Sequence, residues 1–211
     1  MMVGQVNPAD LEQLAIETYE RARLDPAEPV RTVRLARLVL GDPGAVVRAP
    51  LTLSGPAVKF IHNGRVRIGV RRNLPAEYAL FFIGHELAHV VLEREGVEDD
   101  EASCDYLGAC FIAPRPAVHR LHRAFGFDLT EIAARVRSTQ TWAALRVGES
   151  ESIPIAALSR VTVRVRGPES WVWPDERELR RAARADEPGP GLRKVAITDG
   201  RGRMALVAGD E

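Results

Sequence analysis

Two histidines and one glutamate stand inside an otherwise apolar run, "FFIGHELAHVV", residues 81–91. His85 and His89 are four residues apart, so on an α-helix they lie one turn above each other on one side. That spacing lets both imidazoles reach one zinc ion at about 2.0–2.1 Å. Glu86 is rotated by about 100° from His85, where it can lean toward a metal-bound water without being a ligand. The pattern is the H-E-x-x-H arrangement of metal-dependent hydrolysis. An unpaired carboxylate among Phe82, Ile83 and Leu87 costs several kcal/mol or takes up a proton, and a metal ion with its substrate compensates it.

A catalytic zinc usually keeps three protein ligands and one open position. The acidic stretch that follows offers Glu98, Asp99, Asp100, Glu101 and Asp105, most of them suited to a solvated first helical turn. Glu101 and Asp105 share a helix face. Glu101 as third ligand and Asp105 as the carboxylate behind His85 is the economical arrangement, since zinc-bound histidines commonly give their other N–H to a carboxylate. Two imidazoles and one carboxylate suit zinc, though manganese and cobalt stay open.

These residues need a scaffold. "PAEYALFFIGHELAHVVLER" is apolar nearly all round and reads as a central helix covered on several sides, with Gly84 and Ala88 allowing another element to approach closely. Gly96 ends it, and a second helix runs from Asp99 or Asp100 to Pro114. Ahead of them, Asn7-Pro8 opens a helix through "DLEQLAIETYERARL", and "VRTVRLARLVL" forms another that stops at Gly41. "AVVRAP" and "AVKFIHNGRVRIGV" read as strands, with Asn63-Gly64 as a type I′ hairpin turn. "PAVHRLHRAF", "LTEIAARV" and "TQTWAALRVG" are shorter helices. "VTVRVRG" alternates as a strand, "DERELRRAARAD" is helical, and two short strands flank a loop at 199–202. The fold class is α+β: a mainly helical core with a small antiparallel sheet and a β-rich C-terminal extension. The division expected is 1–150 for the core and 151–211 for the extension.

The chain has 211 residues, with 29 basic and 29 acidic side chains, so its global charge makes no case for nucleic acid or an anionic membrane. The longest run free of charge, Tyr78 to His85, is eight residues, far short of a membrane span. The start lacks the basic flank and apolar core of a signal peptide. Cys104 and Cys110, six apart, point to different faces of one helix and do not pair. A reducing cytoplasm is the expected setting.

"FFIGHELAHVVLE" followed by "EASCDYLGACFIAP" resembles the ImmA/IrrE family of zinc-peptidase-like proteins, over roughly residues 10–150. The resemblance implies a zincin-like domain with His85, His89 and Glu101 as zinc ligands, Glu86 as general base and Asp105 behind the ligands. Leu107-Gly108 stands where the family has an aromatic-small pair, Cys104 stands where alanine is common, and the gap from His89 to Glu101 is short. It also implies a regulatory endopeptidase acting on a specific protein or peptide, such as a transcriptional repressor, by Glu-assisted attack of zinc-bound water.

Other assignments stay open. Tyr106, Arg115, His119 and His122 are candidates by type for stabilising an oxyanion or touching substrate. His119 and His122, three apart, are also of metal-binding type, but no carboxylate pattern accompanies them in the sequence. The strand at Arg65 to Val70 is a candidate edge for an extended peptide. The alternative to a peptidase is a catalytically silent metal-binding module that contacts protein or DNA. "LTEIAARVRSTQTWAALRVGES" has the outline of a helix-turn-helix, yet Trp142, Ala143 and Leu145 leave few polar groups to read bases, which does not favour direct nucleic-acid binding. Trp171 and Trp173 suit either a core strand or an interface. Neither the target nor the oligomeric state is written in the sequence.

Overall fold

The structure, a computed structural model, describes residues 7–50, 55–158, 163–166, 175–184, 192–196 and 204–208. Trp171, Trp173 and the loop at 199–202 lie outside the described residues. By its internal packing the chain falls into two compact units, 1–117 and 118–211. The class is the one expected: mainly helical α+β with a small sheet and C-terminal strands.

In the first unit, helix α1 (Pro8–Arg21) starts where the Asn7 side chain accepts the Ala9 N–H and Pro8 fills a position that lacks an acceptor for its N–H. Its Leu11, Ala15 and Tyr19 recur at one-turn intervals and are buried. The Tyr19 hydroxyl donates to the Phe111 carbonyl at 2.9 Å, which satisfies the one polar atom this ring buries. Helix α2 (Thr32–Leu40) stops at Gly41, whose φ of +64° is a left-handed cap.

Strands β1 (Val46–Ala49), β2 (Ala57–His62) and β3 (Arg65–Arg71) form one sheet in the order β1-β3-β2. Asn63 and Gly64 both take positive φ, as the hairpin turn requires, and set the antiparallel register Lys59↔Ile68. β1 pairs with β3 in parallel, so the sheet is mixed. This corrects the expected peptide edge. β3 is the interior strand, paired with β2 from Arg65 to Val70 and with β1 from Ile68 to Arg71, and β1 and β2 are the edges.

Helix α3 (Ala76–Glu95) packs on β2, β3, α2 and helix α4 (Glu101–Ile112), which explains its lack of a polar stripe. Pro75 is its N-cap, and Gly96, with φ +68°, ends it. The approach to α4 is backbone on backbone. A Cβ on Gly84 would lie 2.8 Å from the Gly108 carbonyl oxygen, and one on Gly108 would lie 2.7 Å from the His85 nitrogen. Only glycine at both positions permits this crossing, and the crossing brings the acidic start of α4 to the histidines.

The second unit holds most of helix α5 (Arg115–Phe125), then α6 (Leu129–Val136), α7 (Gln140–Glu151) and α8 (Glu176–Arg184). A four-stranded antiparallel sheet runs in the order β5-β4-β7-β6, with β4 Ile155–Leu158, β5 Val163–Arg166, β6 Leu192–Ala196 and β7 Met204–Ala208. β4 was not expected from sequence. Ile155, Ala156 and Ala157 are all buried, so the strand carries no alternation to read. Every residue of α7 is buried or half-buried, and Arg146, the one basic residue of this helix, is buried against Glu149. The helix that would read DNA in the helix-turn-helix outline therefore presents no exposed face.

Candidate metal centre

On α3, His85 and His89 turn their imidazoles toward the start of α4, side chains only 12% and 16% exposed. Their Nε2 atoms are 3.2 Å apart. The Glu101 carboxylate, 82% exposed, meets His85 Nε2 at 3.3 Å and His89 Nε2 at 3.8 Å. One ligand atom from each of the three residues lies within 4.8 Å of the other two, and this is the one such cluster among the described residues.

The opposite ring nitrogens decide what this convergence means. His85 Nδ1 is 2.8 Å from Asp105 Oδ1, and His89 Nδ1 is 3.1 Å from Asp99 Oδ2. A carboxylate only accepts, so each Nδ1 carries a proton, and in a neutral ring that tautomer leaves a lone pair at Nε2. In that state two imidazole lone pairs and a carboxylate face one another. Three acceptors with no donor repel unless a cation joins them. Ligands around a tetrahedral ion at about 2.0–2.2 Å are roughly 3.3 Å apart, close to the 3.2 Å and 3.3 Å separations seen here. The donor set fits a divalent ion of the zinc class.

Asp99 was not singled out in the sequence, where it reads as one acid among several at a helix start. It precedes the N-cap Asp100, whose side chain accepts the Ala102 and Ser103 N–H groups and thereby fixes where α4 begins. The His89 hydrogen bond is the main reason the Asp99 carboxyl is held below its usual range. Cys104 Sγ also touches His89 Nδ1, at 3.2 Å. Burial, then the charge of Asp99 and its acidic neighbours, pushes that thiol up to about 12, so it stays protonated. Cys104 and Cys110 are both free and buried.

Glu86, half-buried, does not join the cluster. Its Oε2 accepts the Lys59 N–H of edge strand β2 at 2.6 Å, and the Lys59 ammonium pairs with Glu93 on the same helix at 3.0 Å. Sequence reasoning cannot find this contact, because any residue type supplies a backbone N–H. Of the candidate electrophiles, Tyr106 donates its hydroxyl to Glu12 on α1 at 3.3 Å, and Arg115 is exposed at the first residue of α5. His119 and His122 belong to the second unit and meet Glu151 there.

No family model and no curated protein matches this chain. Among solved structures, the fold is similar to that of a Mycobacterium tuberculosis transcriptional regulator at a TM-score of 0.64. The match covers 94% of this chain and 87% of that one, with 13% identity. At this identity the likeness is one of fold, and the similarity to ImmA/IrrE proteins rests on the two-helix signature. No described helix is long and apolar enough to cross a membrane.

Proposed function

We propose that this chain is a regulatory metalloprotein that holds one divalent ion, zinc by its donor set, on His85, His89 and Glu101. The observation that carries the proposal is the convergence of His85 Nε2, His89 Nε2 and the Glu101 carboxylate, with an aspartate behind each ring at Nδ1. Its fold similarity to a bacterial transcriptional regulator supports a regulatory setting. The two-helix signature supports placing it near the ImmA/IrrE proteins.

A second reading, peptide hydrolysis, is favoured by the position of Glu86. Bound zinc supplies a Lewis acid for a carbonyl and lowers the pKa of water. Glu86 is the chain's own proton acceptor and donor, held by Lys59 N–H between the metal helix and an open strand edge. An extended peptide pairing with β2 would run past that carboxylate. Asp105 and Asp99 keep both imidazoles in the ligating tautomer. The substrate under this reading is one specific protein, such as a repressor, and the setting is the cytoplasm.

The two readings separate on E86Q. Zinc retained at one equivalent by this cluster, lost in H85Q/H89Q, supports the metalloprotein. Cleavage of a partner by wild type and not by E86Q makes it a peptidase. A regulatory effect that survives E86Q makes it a silent module, and an H85Q/H89Q chain with undiminished zinc content overturns both.

A further inference from the structure

Glu151 is the last residue of α7, and its side chain is only 14% exposed. Oε2 lies 3.0 Å from His119 Nδ1 and 3.8 Å from His122 Nδ1, and both of its ion pairs are to these histidines. Oε1 is buried with no hydrogen-bond partner. A carboxylate in this position is costly unless a cation compensates it. His119 and His122, three apart on α5, lie on one side of that helix. Two imidazoles and one largely buried carboxylate thus meet within the second unit.

We propose that His119, His122 and Glu151 form a second divalent-cation site, for a borderline ion such as zinc, cobalt or nickel. Nitrogen–oxygen separations around such an ion are roughly 3.3 Å, and the observed 3.0 Å and 3.8 Å bracket this. The two imidazoles do not yet approach each other closely enough to share an ion, so the exposed His119 ring must rotate toward His122 to complete the geometry. The site is looser than the first and is structural. Arg120 stands between its histidines where Glu86 follows His85, so the motif carries no general base.

What the ion would hold is a sharp reversal. After Glu151, Ser152 takes φ +57°, and the chain doubles back into the buried strand β4 so tightly that a Cβ on Gly148 would lie 2.9 Å from the Ile153 carbonyl oxygen. A cation here clamps α5 to the turn between α7 and β4.

The test uses the full chain, stripped with a chelator and titrated with zinc alone. Metal is counted after desalting, and the histidine ring nitrogens are followed by NMR. H119Q/H122Q and E151Q should each bind one equivalent fewer than wild type, and H85Q/H89Q should keep the equivalent they lose. In wild type the His119 and His122 ring signals should move during the titration. An H119Q/H122Q chain that binds as much zinc as wild type overturns the proposal. Should that variant not fold, ring signals that stay still at saturating zinc overturn it instead. Because the two histidine pairs are varied separately, failure of either site is visible without the other.

Discussion

His85 and His89 flank a glutamate on α3, whereas His119 and His122 flank Arg120 on α5. Both pairs meet carboxylates, but on opposite sides of the ring. At the first site Asp105 and Asp99 lie behind the imidazoles on Nδ1, and the Nε2 atoms turn inward. At the second, Glu151 faces Nδ1 of both rings, and among the described residues none holds the far nitrogens. Where the acid sits decides which nitrogen keeps its proton and which offers a lone pair. The first site is therefore set for an ion before the ion arrives. The second must change its tautomers to accept one, so zinc should fill the first site more tightly by about 100-fold, from two supporting carboxylates each worth about 10-fold or more.

The comparison breaks most severely at the helix crossing. G108A places a methyl group 2.7 Å from the His85 nitrogen, so α4 must move off α3. We expect a loss of about 3 kcal/mol in urea unfolding of the metal-free chain, together with loss of zinc from the first site and retention at the second. Wild-type stability and zinc content in G108A would contradict the backbone packing that positions Glu101.

D99A and D105A act next. Each should weaken zinc at the first site by about 10- to 100-fold, read by competition with a fluorescent chelator, and leave the second site unchanged. An unaffected D99A would mean that Cys104, which shares His89 Nδ1, suffices to orient the ring.

The smallest effect sharpens the account of how Glu101 is delivered. D100A removes the cap at which α4 begins and should cost about 1 kcal/mol. The Asp100 carboxyl is held below its ordinary value, chiefly by the Ser103 hydroxyl and then by the Ser103 N–H. Its folded-state value is depressed, so the contribution is fully present above the ordinary carboxylate range and is lost as pH falls through the lower folded value. In metal-free protein, wild type should lose more stability between neutral and strongly acidic pH than D100S, whose cap does not titrate. Equal losses would contradict the role given to Asp100.

Much of the first site could be read directly from residue spacing. His85 and His89 four apart need only a helix to converge, and Glu101 with Asp105 needs only a second one. The Asn63-Gly64 turn was equally plain, because few residues accept positive φ. What escaped depends on tertiary placement. Asp99 gains its role from the chain's path into α4, Lys59 contributes through backbone alone, and Glu151 lies 32 residues from His119. β4 escaped because a strand covered on both faces has no period.

Anomalous diffraction at the zinc absorption edge tests the central claim most directly. A zinc-loaded crystal should show a peak at about 2.0–2.2 Å from His85 Nε2, His89 Nε2 and a Glu101 oxygen, with Asp105 and Asp99 still on the Nδ1 atoms. A loaded crystal with no ion between those three residues, or with the ion on Nδ1 and the aspartates turned away, would contradict it.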